Sequence, residues 1–186
     1  MTTYMKDAAY LLKAYYANAE ETERIILSCA LAAAGADAVG SLIPVLSVPM
    51  LVVSCMGAVW AMYGSICAKL NITIKGNVLK ILARAALSNI IANLGGFLAA
   101  YLVATFIPGA GAAASAMLTF ATVYLAGYIF LQMLLKLAQK SSDPYTFSDI
   151  NESCMKDTIK SVKVDQDVAK EAFAAKKKEN YSSPIK

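Results

Sequence analysis

The sequence predicts an all-α fold: membrane-embedded helical hairpins, preceded by an N-terminal amphipathic helix and followed by a polar helical C-terminal tail. Three observations predict it. Hydrophobic residues make up 58% of the chain and charged residues only 16%, against about 45–50% and about 25% in soluble domains. The formal net charge of +4 hides an uneven distribution, because residues 41–140 carry Lys69, Lys75, Lys80, Arg84, Lys136 and Lys140 but no Asp or Glu. Two stretches, Ala38–Ala68 and Ala85–Leu135, hold no charge at all. One membrane span needs roughly 20 predominantly apolar residues, so the first stretch accommodates one span and the second two, with a break between.

Taken in order, residues 3–17 form an amphipathic pattern. Tyr4, Ala8, Leu11, Leu12, Tyr15 and Ala19 recur at helical spacing opposite Lys6, Lys13 and Glu20. Asn18 and Glu21 have capping-box spacing, which starts a second helix near Ala19. Gly35, Asp37, Gly40 and Pro44 are expected to break that helix and form a hairpin turn. Between Arg24 and Asp37 the helix would be too short for an independent span. Further helices are expected over Val45–Lys69, Asn77–Phe106 and Ala112–Gln139, with Pro49 tolerated in a first turn and a turn near Gly76. Ser141–Pro144 marks the start of a tail with helical pieces near Ser148 and Asp165, and its last residues, rich in Lys and Ser, read as disordered. These boundaries divide the chain into amphipathic N-terminal helices (1–36), a hydrophobic hairpin domain (37–140) and a polar, partly helical or disordered tail (141–186).

Gly109-Ala-Gly111-Ala-Ala-Ala114 has the outline of a dinucleotide-binding turn. Such a fingerprint needs a strand before it and an acidic residue about 20 positions later. Here the preceding run is helical, the next carboxylate is Asp143, and no P-loop Lys-Ser/Thr pair follows. The turn is therefore structural: Pro108 stops one helix, and Gly109 and Gly111 reverse the chain. The flanking helices carry small and polar stripes. Asn89, Asn93, Gly96 and Ala100 lie beside Ser88, Ala92, Gly95 and Ala99 on one; Gly111, Ser115, Thr119, Thr122 and Ala126 lie on the other. Membrane helices pack through such residues, which leaves Ile91, Leu94, Leu98, Leu102, Phe120, Leu125 and Leu131 for acyl chains. A soluble Gly/Ala-rich bundle core would show the same stripes but not the missing acidic surface.

The segment "AGADAVGSLIPV", the apolar helix ending in Met62-Tyr63-Gly64, and the Gly95-Gly96 helix leading into "FIPGAGAAASA" together resemble the helical family designated domain of unknown function 697. The resemblance covers roughly residues 24–138. It implies a membrane-associated helical domain, often fused to Era-like GTPase domains, with no established chemistry of its own. This sequence has no nucleotide motif and a longer apolar helix before Met62, so a stand-alone membrane module is expected rather than a GTPase effector.

The leading functional expectation is a non-enzymatic integral membrane protein that self-associates into a homo-oligomer, as a scaffold or membrane-shaping module. Its partners are then the lipid bilayer and further copies of the chain, with the C-terminal tail offered to a protein partner and no nucleic acid involved. Positive-inside bias places Lys69, Lys75, Lys80, Arg84, Lys136 and Lys140 at headgroups on one side, both termini in the cytoplasm, and a bacterial inner membrane as the location. Tyr4, Tyr10, Tyr15 and Tyr16 suit the headgroup level. One alternative is a channel lined by Asn89, Asn93, Thr119 and Thr122; another is a soluble partner-binding bundle in a large homo-oligomer. Catalysis is not expected: there is no histidine, and Asp37 reads as a turn-former or helix cap. No cofactor or metal site is expected. Cys29, Cys55, Cys67 and Cys154 lack C-x-x-C spacing and read as free thiols.

Overall fold

A computed structural model describes residues 13–15, 17–40, 47–74, 76–104, 111–141, 147 and 152–162. Every regular element among them is an α-helix: α1 (Ala19–Gly40), α2 (Ser47–Lys69), α3 (Gly76–Ala104), α4 (Gly111–Ala138) and α5 (Glu152–Ser161). Helix α4 packs against all four of the others and is the hub of the bundle. Its residues Phe120, Val123, Leu125, Ala126, Ile129, Phe130 and Met133 are fully buried. At roughly 1.5 Å per residue, α1 to α4 each extend over 30 Å, and the core runs along the whole α4 axis.

Helix α1 begins differently from its sequence signal. The Asn18 side chain does not cap it; its Nδ2 donates back to the Ala14 carbonyl at 2.8 Å, while the Asn18 carbonyl accepts from the Thr22 amide at 2.9 Å. Glu21 pairs with Lys69 instead of closing a capping box. The expected break at Gly35 and Asp37 is also absent, because both lie inside α1, which continues to Gly40. Gly35 faces open space. A single exposed glycine costs a helix only about 1 kcal/mol, and Asp37 finds partners on α4, so nothing at these positions stops the helix. The boundary placed between residues 36 and 37 therefore falls within one element.

Helix α2 stops in a Schellman turn. Asn71 adopts φ 54°, the Ile72 amide bonds the Cys67 carbonyl at 2.8 Å, and the Asn71 amide bonds that of Ala68 at 3.3 Å. Cys67 and Ile72 are both buried beneath it. The turn expected at Gly76 is thus built by an asparagine that tolerates the left-handed region, and Gly76 opens α3. Pro49 sits in the first turn of α2, where a missing N–H costs little.

The first part of the tail joins the core. Helix α5 lies on α3 and α4, and Phe147, Met155, Thr158 and Val162 are buried. Its C-terminal end is held by cations and amides of the bundle. Lys136 Nζ donates to the Ser161 carbonyl at 2.8 Å and to its hydroxyl at 3.0 Å, Lys140 Nζ reaches Thr158 Oγ1 at 3.1 Å, and Asn89 Nδ2 reaches the Val162 carbonyl at 2.8 Å. Lys136 and Asn89 thus meet carbonyls that a helix end leaves unpaired.

Candidate functional site

Three helices meet around Asp37. It stands in the last turn of α1 and is completely buried. Ser115 and Thr119, one turn apart on α4, point at it together because residues four apart share a helix face. Ser115 Oγ donates to Asp37 Oδ2 at 2.5 Å and Thr119 Oγ1 donates to the same oxygen at 3.0 Å. The buried Cys55 of α2 lies beside Thr119 and Asp37. Asp37 Oδ1 is equally buried and has no hydrogen-bond partner among the described residues. The arrangement is a single carboxylate with two hydroxyls, enclosed on three sides by apolar helices. It offers oxygen ligands and a proton acceptor.

Below this node the same helices are locked by close packing. Tyr63 of α2 stacks on Phe130 of α4, with centroids 3.8 Å apart and planes 9° from parallel, and its hydroxyl donates to the Ala126 carbonyl at 2.9 Å. Gly127 of α4 lies against Ile26 of α1 so closely that a β-carbon would be 2.8 Å from both Ile26 γ-carbons. A cleft of about 210 Å³ beside this contact is lined by Tyr15, Glu23, Tyr124 and Tyr128, among others.

The residues expected to pack helices divide accordingly. Ser115 and Thr119 are buried, Gly111 and Thr122 half-buried, and Asn89 buried but bonded to the tail rather than to a neighbouring hairpin. Asn93, Gly95, Gly96 and Ala100 lie on α3 with side-chain surroundings outside the described residues, as are Pro44, Pro108, Gly109 and Lys75. Phe120, Leu125 and Leu131, expected to face acyl chains, are buried in the bundle instead. They belong to α4, whose position at the centre leaves little of it facing outward.

Four of the basic residues expected at headgroups have protein partners. Lys69 pairs with Glu21, Lys80 Nζ sits 4.9 Å from the centroid of the Trp60 ring, and Lys136 and Lys140 hold α5. Arg84 is exposed. All four cysteines are free, Cys55 and Cys67 buried among them. The functional pattern that sequence reasoning missed is the α1–α4 register. Its signal was the i, i+4 run Ser115, Thr119, Val123, Gly127, one position off the stripe drawn through Thr122 and Ala126. No family model matches the chain, and neither a curated protein nor a solved structure matches it.

Proposed function

We propose that the chain is a non-enzymatic integral membrane protein that self-associates through its helix faces, as a scaffold or membrane-shaping module. One observation carries the reading: residues 41–140 contain no Asp or Glu, so the outer faces of α2, α3 and α4 have no acidic group to offer water. The preceding carboxylate, Asp37, is turned inward. Among the described residues one helix, α4, is long and apolar enough to cross a membrane. Trp60 is exposed beneath the Lys80 ammonium, a pairing suited to the bilayer interface. Glu21 with Lys69 sets the start of α1 beside the end of α2. The Asp37–Ser115 and Ile26–Gly127 contacts set the end of α4 at the same place. The basic helix ends thus gather at one end of the bundle, in keeping with a bacterial inner membrane and cytoplasmic termini. Membership of the family resembling residues 24–138 is part of this proposal.

A soluble partner-binding bundle is the second reading, and it has its own observation: 72% of the apolar window in α4 is buried inside the fold. The channel reading has less support, since Thr119 and Asn89, two of its four lining residues, are engaged inside one chain. Alkaline carbonate extraction of expressing cells decides between the first two. The proposed protein stays in the pellet and is released only by detergent, after which size measurement reports the oligomer. Release by carbonate alone would overturn the membrane reading and select the soluble bundle.

A further inference from the structure

Asp37 is the only Asp or Glu between Glu23 and Asp143. Its Oδ2 accepts from two hydroxyls, and its Oδ1 is buried with no hydrogen-bond partner among the described residues. No Lys or Arg pairs with it among the described residues. It stands in the last turn of α1, where the helix dipole is negative, and that turn has no basic residue to offset it. The first turns of α4, from which Ser115 projects, supply only a fractional positive charge. A buried carboxylate in such surroundings needs its charge compensated, by a counter-ion or by a proton.

We infer that Asp37, Ser115 and Thr119 form a binding site for a small monovalent cation of the sodium class, with Asp37 Oδ1 as its open ligand. The donor set selects the ion. Carboxylate and hydroxyl oxygens are hard ligands that suit alkali and alkaline-earth ions rather than soft metals. One carboxylate balances one positive charge, whereas a divalent ion would leave an uncompensated charge in the core. No group of three or more His, Cys, Asp or Glu that could hold a metal occurs among the described residues. Each hydroxyl keeps lone pairs after donating to Oδ2, so Ser115 and Thr119 can face the ion without releasing the carboxylate. Because the site joins α1 to α4 and touches α2 through Cys55, binding there ties the three helices together. The inference holds whether or not the bundle sits in a bilayer.

The test is thermal unfolding of the full chain purified in mild detergent, with NaCl exchanged stepwise for choline chloride at fixed ionic strength and fixed pH. The midpoint should rise with sodium and saturate, as a ligand that binds only the folded state requires. Ser115→Ala and Thr119→Ala should each raise the half-saturating sodium concentration about tenfold, Thr119→Ser should preserve it, and Asp37→Asn should abolish the response. If Asp37→Asn does not fold, the two hydroxyl variants still decide. Equal effects of sodium and choline, a midpoint that follows pH alone, or an unchanged sodium response in both alanine variants would overturn the site.

Discussion

Gly127→Ala tests the close approach of α1 and α4. The new β-carbon would lie 2.8 Å from Ile26 Cγ1 and Cγ2 and 3.1 Å from Cδ1, well inside ordinary van der Waals distance. Ile26 cannot swing clear, because both γ-carbons branch from its Cβ and rotation about χ1 exchanges one for the other. The helices must separate instead, and overpacking of this kind costs about 1–3 kcal/mol. Against this, alanine is favoured over glycine in a helix by about 1 kcal/mol. The expected net loss is about 1 kcal/mol, or roughly 2–4 °C in Tm for a chain of this size, read by circular dichroism on heating. Ile26→Ala supplies the control. Alone it leaves a cavity and costs about 2–5 kcal/mol, but in that background Gly127→Ala fills part of the space and becomes stabilising. The change of sign amounts to a coupling of at least about 1 kcal/mol. If Gly127→Ala raises the Tm of the parent, as helix propensity alone requires, α1 and α4 do not approach as described.

Tyr63→Phe removes the bond to the Ala126 carbonyl but keeps the stack on Phe130, and should cost about 1 kcal/mol; Tyr63→Ala loses both and should cost about 3–5 kcal/mol by the same thermal assay. Asn89→Ala leaves the Val162 carbonyl without its buried donor, a loss of about 1–3 kcal/mol. It should expose residues 141–162 to limited proteolysis while the remaining helices resist. Lys69→Ala breaks the partly exposed pair with Glu21 and should change stability by no more than about 1 kcal/mol, so a larger drop would assign that pair a role beyond the surface.

The helices themselves were readable in the sequence because apolar runs, Pro and Gly mark them from within. Expected spans of Val45–Lys69, Asn77–Phe106 and Ala112–Gln139 compare with Ser47–Lys69, Gly76–Ala104 and Gly111–Ala138 in the structure. What local signals could not convey is partnership at long range. Asp37 reads as a helix breaker because its hydroxyl partners lie on α4, far along the chain. Asn89 reads as glue between hairpins because its acceptor, the Val162 carbonyl, belongs to a segment that looks like a detached polar tail. Lys136 and Lys140 read as headgroup contacts for the same reason. Phe120 and Leu125 were assigned to lipid since apolar residues on a spanning helix look alike whether a neighbour or an acyl chain covers them.

That ambiguity bears directly on where the membrane reading rests. The apolarity of α4 is explained by the bundle alone, since α1, α2, α3 and α5 all pack on it and most of its apolar window is covered. A central helix of this kind would be equally apolar in water. The discriminating surface is the outward one. Leu31, Val39, Trp60 and Tyr128 are large hydrophobics that remain exposed on α1, α2 and α4, and scattered exposure of this sort is ordinary in soluble proteins. The absence of carboxylates from α2, α3 and α4 is not ordinary. Within α2, α3 and α4 the described charges, Lys69, Lys80, Arg84 and Lys136, with Lys140 just beyond α4, all sit toward one end of the bundle, and the rest of those three helices carries neither sign. A bilayer, which admits charge at its headgroups and excludes it from its interior, would account for that asymmetry, and this is the part of the proposed function that carbonate extraction puts to the test.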